Sequence, residues 1–315
     1  MRRALIILAL SLLSAFAAYP VPKEIEEALK LNHINHFDEA LRVIERALQE
    51  GRIKPDITSA YALGRILYRK GEFYREVGAL SILTDFGYFR QIYERDKNPP
   101  NEVKLFLGIE YYFNGRYLDA AGILSQVAAP VRMSREIAGL ADAYLGASYY
   151  KAGEKSKAQE VWKGVKKENV LAYSSLGYLH AALGIDPSAG EEMAREALET
   201  AGKMGGAGRL ANPLKVNHAY TLLSVGRFGD AYALLKDVNL DSSVFVFRQS
   251  ENKEIRFYDP PLLRNYSSVL FGEAIKNLEP IVTASSGELA GFAAYYVAQM
   301  LSLIHISEPT RLLSI

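Results

Sequence analysis

The sequence predicts an all-α fold, an α-solenoid in which short amphipathic helices form pairs and the pairs stack. Two observations indicate it: apolar residues recur at helical spacing along most of the 315 residues, and glycine or asparagine recurs in the breaks. The clearest unit runs from Leu105 to Leu124 and consists of two predicted helices joined by a turn at Asn114-Gly115. Such a unit can bury its apolar face only against neighbouring units, so a stacked array is expected.

The pattern of this unit returns along the chain. Its residues Leu107, Gly108, Tyr111, Gly115, Ala120 and Leu124 have counterparts in Leu145, Gly146, Tyr149, Gly153, Ala158 and Trp162. Looser copies place the predicted turn residues at Asn35, Gly71, Gly115, Gly153, Gly184 and Gly226, with spacings of 36, 44, 38, 31 and 42 positions. Small residues at Gly108 and Ala120 would let the two helices of a pair approach closely.

These units resemble tetratricopeptide repeats, which have a small residue before the turn, glycine in the turn, alanine after it and a period of roughly 34 residues. The resemblance covers roughly residues 22–240 and implies a right-handed α-solenoid of about six helix pairs over residues 18–240. Lys104 and Asp142 stand where the family has an early aromatic residue, and Glu76 stands where it has alanine.

The resemblance also implies a concave groove lined by the first helix of each pair. Carried over by position, the predicted groove residues are Tyr61, Arg65, Tyr68, Arg69, Ile109, Tyr112, Tyr150, Tyr178 and Tyr220. Tyrosine combines a large contact area with a hydrogen-bonding tip, which suits peptide binding, although each tyrosine could instead fill space between units. The lysine and asparagine of the family's carboxylate clamp are replaced by Tyr61 and Arg65, so that ligand is not expected.

Residues 1–17 are predicted to be a secretory signal peptide, because two arginines precede an apolar run that ends in Ala15-Phe16-Ala17. An uncleaved anchor is the alternative, but the run is shorter than the ~20 residues of a spanning helix. The chain has no cysteine, which excludes a lipobox, disulfides and a thiolate nucleophile. The prediction is therefore a periplasmic or secreted protein of a bacterial cell envelope.

The formal charge of +1 argues against nucleic acid as the main partner, and loss of Arg2 and Arg3 with the signal peptide would leave it equally small. The glycine-rich stretch Ala201 to Pro213 lacks the Lys-Ser/Thr ending of a phosphate loop, and we interpret it as a flexible connection.

After residue 240 the period changes, and residues 241–261 are predicted to be a β-hairpin insertion centred on the β-prone residues 244–258. The hairpin could shield one side of the solenoid or offer an edge for strand addition by a partner. Further solenoid helices are predicted over 262–300. Leu301 to Arg311 is similar to a translation of a common transposase sequencing adaptor, so residues 301–315 are expected to be an artefact and the natural chain to continue past Met300.

No catalytic, cofactor-binding or metal-binding residues are predicted. His33, His36 and Asp38 share a turn, but two imidazoles without a supporting cluster are too few for a convincing metal site. His180 lies on an apolar stripe, which favours an interior histidine. Glu191 and Glu192 are interpreted as helix-terminal charges.

The leading hypothesis from the sequence is an exported scaffold or assembly factor without a cofactor, which binds a protein or peptide partner through the tyrosine-lined groove. One alternative is the solenoid arm of a cell-wall-acting enzyme whose catalytic domain is missing from this chain. A second is an envelope glycan-binding module, since aromatic tracks also suit sugars. Cell-wall hydrolysis by a longer product or glycan retention by the repeats would distinguish these alternatives.

Overall fold

The structure is a computed structural model that describes residues 21–127, 139–204, 208–240, 244–250, 253–258, 260–284 and 287–305. The predicted signal peptide lies outside the described residues, as do positions 306–315 of the predicted adaptor tail.

The fold is all-α apart from one β-hairpin. Its helices are α1 (Lys23–His33), α2 (Phe37–Gln49), α3 (Ile57–Arg95), α4 (Asn101–Phe113), α5 (Tyr117–Leu124), α6 (Leu140–Lys151), α7 (Lys155–Trp162), α8 (Val170–Ala182), α9 (Pro187–Lys203), α10 (Ala211–Ser224), α11 (Phe228–Leu235), α12 (Pro260–Ala284) and α13 (Glu288–His305). Strands β1 (Val244–Ser250) and β2 (Lys253–Tyr258) pair antiparallel, with Val244 opposite Tyr258 and a register shift between Arg248 and Ser250.

The described residues form two compact units. The first unit contains 21–73 and 270–305, and the second contains the described residues of 74–269. In the second unit α4 packs on α5, α6 on α7, α8 on α9 and α10 on α11, while the first helices of successive pairs also touch one another. This arrangement confirms the predicted all-α helical-repeat fold.

Five of the six predicted turn residues end a first helix in the same way. Asn35, Gly115, Gly153, Gly184 and Gly226 have φ of 63°, 75°, 89°, 63° and 81°. The following amide donates to the carbonyl five residues earlier, as from Arg116 N to Tyr111 O at 2.9 Å. This is the Schellman motif, which satisfies carbonyls at the end of a helix and needs a residue that tolerates the left-handed conformation.

The sixth predicted turn, at Gly71, is wrong because α3 runs through this position without a break. Gly71 is buried, and a Cβ added there would lie 2.5 Å from a ring carbon of Phe271. The missing side chain therefore serves close packing of α3 against α12 in the first unit. The surrounding Arg69 and Lys70 are good helix formers, so nothing local ends the helix.

The predicted flexible connection at 201–213 is also wrong at both ends, where the chain is helical. Helix α9 continues to Lys203 with Ala201 buried, a 3₁₀ turn spans Gly208–Leu210, and α10 begins at Ala211. Pro213 lies in the first turn of α10, where its missing N–H removes no helical hydrogen bond.

Glycines set the spacing between paired helices. Gly177 of α8 and Gly190 of α9 face each other, and a Cβ on either would lie 2.5 Å from the carbonyl oxygen of the other. In the preceding pair Gly146 makes room for Trp162, whose indole N–H donates to Ala143 O at 3.0 Å. These contacts involve backbone or large buried rings, which cannot move aside cheaply.

We expect Gly177→Ala to lower the free energy of unfolding by about 1–3 kcal/mol, because α8 and α9 would have to separate. Gly202→Ala is the matched control: Gly202 is also helical, but nothing lies within 4 Å of an added Cβ. It should gain about 0.5–1 kcal/mol from the lower backbone entropy of the unfolded chain. Urea unfolding followed by far-ultraviolet circular dichroism measures both, and equal stability of Gly177→Ala and the parent would contradict the close-approach argument.

Candidate functional site

The nine predicted groove residues are divided between the two units. Tyr61, Arg65, Tyr68 and Arg69 lie in the first unit, and Ile109, Tyr112, Tyr150, Tyr178 and Tyr220 lie in the second. The two sets are described separately.

In the first unit the predicted tyrosines are interior residues. Tyr61 is fully buried and Tyr68 is 6 % exposed. Their ring centres lie 6.4 and 4.9 Å from that of Tyr296, so both rings fill space between α3 and α13. Burial raises the pKa of both phenols, helped for Tyr68 by its 2.5 Å hydrogen bond to the Glu72 carboxylate. Arg65 and Arg69 on the same helix are half-buried.

In the second unit the predicted residues range from buried to partly accessible. Ile109 is fully buried and Tyr178 is 5 % exposed, whereas Tyr150 and Tyr220 are half-buried. Tyr178 and Tyr220 meet edge to face with ring centres 5.0 Å apart, a favoured aromatic geometry. Tyr150 packs near Trp162, at 6.0 Å between ring centres.

Tyr112 is the centre of an aromatic group, which we call the tyrosine cluster: Tyr112, Tyr117, Tyr178 and Tyr220. The Tyr112 ring lies 5.7 Å from that of Tyr117 and is 8 % exposed. Burial raises the pKa of Tyr112 well above its usual value, and the nearby phenols of Tyr178, Tyr117 and Tyr220 raise it further. Helices α4, α8 and α10 thus bring three of the predicted groove tyrosines together, and Tyr117 of α5 joins them.

The beginning of α12 lies beside this cluster. The Arg264 guanidinium is 5.4 Å from the centre of the Phe113 ring, and its charge partly offsets the rise in the pKa of Tyr112 and of Tyr117. The next residue, Asn265, donates a 3.2 Å side-chain hydrogen bond to Asn217 of α10, and each amide is 1 % exposed. Sequence reasoning missed Arg264, Asn265 and Tyr117, because periodicity predicts helices but gives no long-range contacts.

A buried polar contact joins α9 to α10. His218 Nε2 lies 2.9 Å from Glu191 Oε1, and these side chains are only 11 % and 17 % exposed. Arg227 approaches the same carboxylate oxygen at 3.8 Å. The interpretation of Glu191 as a plain helix-terminal charge is therefore wrong, since its carboxylate reaches across to the next pair. The contact fixes the imidazole and ties the two helices together.

His180 is half-buried against Trp162, with ring centres 5.1 Å apart, and burial lowers its pKa. His36 contacts Glu39 at 3.3 Å on the surface. The described residues contain no group of three or more metal-ligating side chains. None of the described helices is both long and apolar enough to cross a membrane.

Comparison with known proteins leaves the family open. No family model matches the chain, and no curated protein matches it.

The raised pKa of Tyr112 has a consequence for stability at alkaline pH. An unfolded tyrosine loses its proton near pH ~10, whereas the buried phenol keeps it, so the stabilisation is complete below that pH and is lost as pH rises. We expect the free energy of unfolding of the parent to fall faster than that of Tyr112→Phe above pH ~10, by up to about 1.4 kcal/mol per pH unit. Urea titrations across pH ~7–11.5 test this, with parallel behaviour expected below pH ~9 as the control. If the free energies of unfolding of the parent and of Tyr112→Phe ran parallel over the whole pH range, the prediction would be wrong.

The contact between Glu191 and His218 gives a second prediction. Glu191→Ala leaves a largely buried imidazole without its partner and should cost about 1–3 kcal/mol of stability. Glu192→Ala makes the same chemical change at an exposed neighbouring position on α9, so we expect it to stay within about 0.5 kcal/mol of the parent. Chemical unfolding of both variants checks the difference, and equal effects would show that the contact contributes nothing.

Proposed function

We propose that this protein is a tetratricopeptide-like scaffold or assembly factor, exported to the cell envelope, that binds a protein or peptide partner through the first helices of its second unit. The observation that carries the proposal is the convergence of Tyr112, Tyr178 and Tyr220 from three first helices, α4, α8 and α10. Stacked helix pairs are a common platform for binding, because each repeat adds one strip of side chains to a shared surface.

The chemistry of the cluster suits a peptide. Tyr112 and Tyr178 are largely buried and rigid, so they lose little conformational entropy when a ligand contacts them. Tyr220 and Tyr150 are half-buried, which leaves part of each side chain accessible to a ligand. Arg264 adds a positive charge beside the aromatic rings. Hot spots of protein interfaces are enriched in these residue types.

Peptide selection on the purified protein tests the proposal, with affinities of the selected peptides measured by fluorescence anisotropy. Tyr220→Ala and Tyr150→Ala should each weaken binding about tenfold or more, as expected for losing an aromatic contact of about 1.4 kcal/mol. Tyr149→Ala is the matched control: Tyr149 is half-buried on the same helix as Tyr150 but points about 100° away from it. Circular dichroism verifies that each variant is folded.

A selection that yields no reproducible peptide would contradict the proposal, as would equal weakening by the control. Retention of envelope glycans in place of peptides would favour a glycan-binding module. Detection of the protein in the cytoplasm after expression from its own first codon would contradict export.

A further inference from the structure

Arg264 is a half-buried cation beside an aromatic ring. Its guanidinium lies 5.4 Å from the centre of the Phe113 ring, and among the described residues no carboxylate pairs with it. A guanidinium carries five N–H donors in a planar fork, and an aromatic face satisfies none of them as a carboxylate would. Charges removed from water without a partner are costly, so an unpaired arginine in this position calls for a reason.

Two phenols next to it are also free to donate. In the part of the chain that the structure describes, the hydroxyls of Tyr112 and Tyr117 have no hydrogen-bond partner. The Tyr112 ring lies 5.3 Å from that of Phe113, which the Arg264 guanidinium contacts, and 5.7 Å from that of Tyr117, so the three groups lie close together. Tyr112 is buried, whereas Tyr117 and Arg264 are half-buried. Solvent therefore reaches the group at Tyr117 and Arg264 but hardly at Tyr112. Convergent unpaired polar groups among aromatic rings are typical of a ligand site.

We propose that Arg264, Tyr112 and Tyr117 bind a carboxylate group of the partner. The guanidinium fork matches the two oxygens of a carboxylate, and the phenols donate to the same oxygens. Phe113 holds the guanidinium from one side. This inference rests on the proposed function and deepens it, because it assigns an acidic peptide as the ligand of the tyrosine cluster.

The balance of charge favours a carboxylate over a phosphate. A phosphomonoester carries about −1.5 to −2 charges and is usually bound by more than one cation. The proposed site contains one cation, Arg264, beside the neutral phenols of Tyr112 and Tyr117. One guanidinium and two neutral donors match a single negative charge.

The test uses four fluorescein-labelled decapeptide pools whose random flanks contain no aspartate or glutamate. Three pools have amidated ends and carry glutamate, glutamine or phosphoserine at the central position, and the fourth carries glutamine and a free terminal carboxylate. We expect the parent protein to bind the glutamate pool about ten- to a hundredfold more tightly than the amidated glutamine pool, as hydrogen bonds to a charged group typically allow. Tighter binding of the fourth pool than of the amidated glutamine pool would show that a chain terminus serves as well.

Variants connect this preference to the site. Arg264→Gln should abolish the preference for glutamate, Arg264→Lys should keep part of it, and Tyr117→Phe should reduce it several-fold. Arg195→Gln removes the same charge from an exposed pair on α9, and it should leave the preference unchanged. Circular dichroism and melting temperature of each variant separate a lost contact from a lost fold.

The outcomes distinguish the two proposals. Equal binding of the glutamate and glutamine pools by the parent would overturn the carboxylate site while leaving peptide binding intact. The strongest binding by the phosphoserine pool would overturn it in favour of a phosphate ligand. A preference that survives in Arg264→Gln would place the site elsewhere, and no binding of any pool would overturn the carboxylate site together with the proposed function.

Discussion

Close approach of the two helices in each pair is the constraint on which the second unit depends. At Gly177 and Gly190 the backbones of α8 and α9 are in contact, so there is no room for even a methyl group. In the preceding pair the same distance is set by a glycine under the Trp162 indole. Because helix pairs stack through their first helices, an increase in this spacing would shift every later pair.

The turns enforce the same geometry from the ends of the helices. Each left-handed residue lets the following amide bond back to the first helix, so the second helix starts at a fixed angle. With angle and spacing fixed, first-helix side chains that are far apart in sequence come to face one another. Tyr112, Tyr178 and Tyr220 meet in this way, and the contact from Glu191 of the second helix α9 to His218 of α10 also joins successive pairs.

The sequence predicts those features of the fold that depend only on residues close together in the chain. The Schellman turns at Gly115, Gly153, Gly184 and Gly226 need only the glycine and the helices beside it, so periodicity found them. Gly71 has the same local pattern but a different use, since its partner Phe271 comes from a distant part of the chain. The buried hydrogen bond between Asn265 of α12 and Asn217 of α10 is likewise a long-range contact, which no spacing rule indicates. Three of the predicted tyrosines, Tyr112, Tyr178 and Tyr220, come together, whereas the burial of each tyrosine follows from long-range packing that the sequence does not indicate.

Within the tyrosine cluster, burial of the rings opposes the accessibility that the proposed binding requires, and Arg264 differs from the rings in this respect. Rings that pack against one another are rigid, but rigid packing also removes their surface from a ligand. Ring packing cannot fully compensate a charged group for its lost hydration, because an aromatic face replaces only part of that hydration. The rings can pack against one another, but this packing leaves the N–H donors and the charge of the guanidinium uncompensated. Under the proposed function, that remaining charge is the feature of the tyrosine cluster that would select a partner with an acidic group.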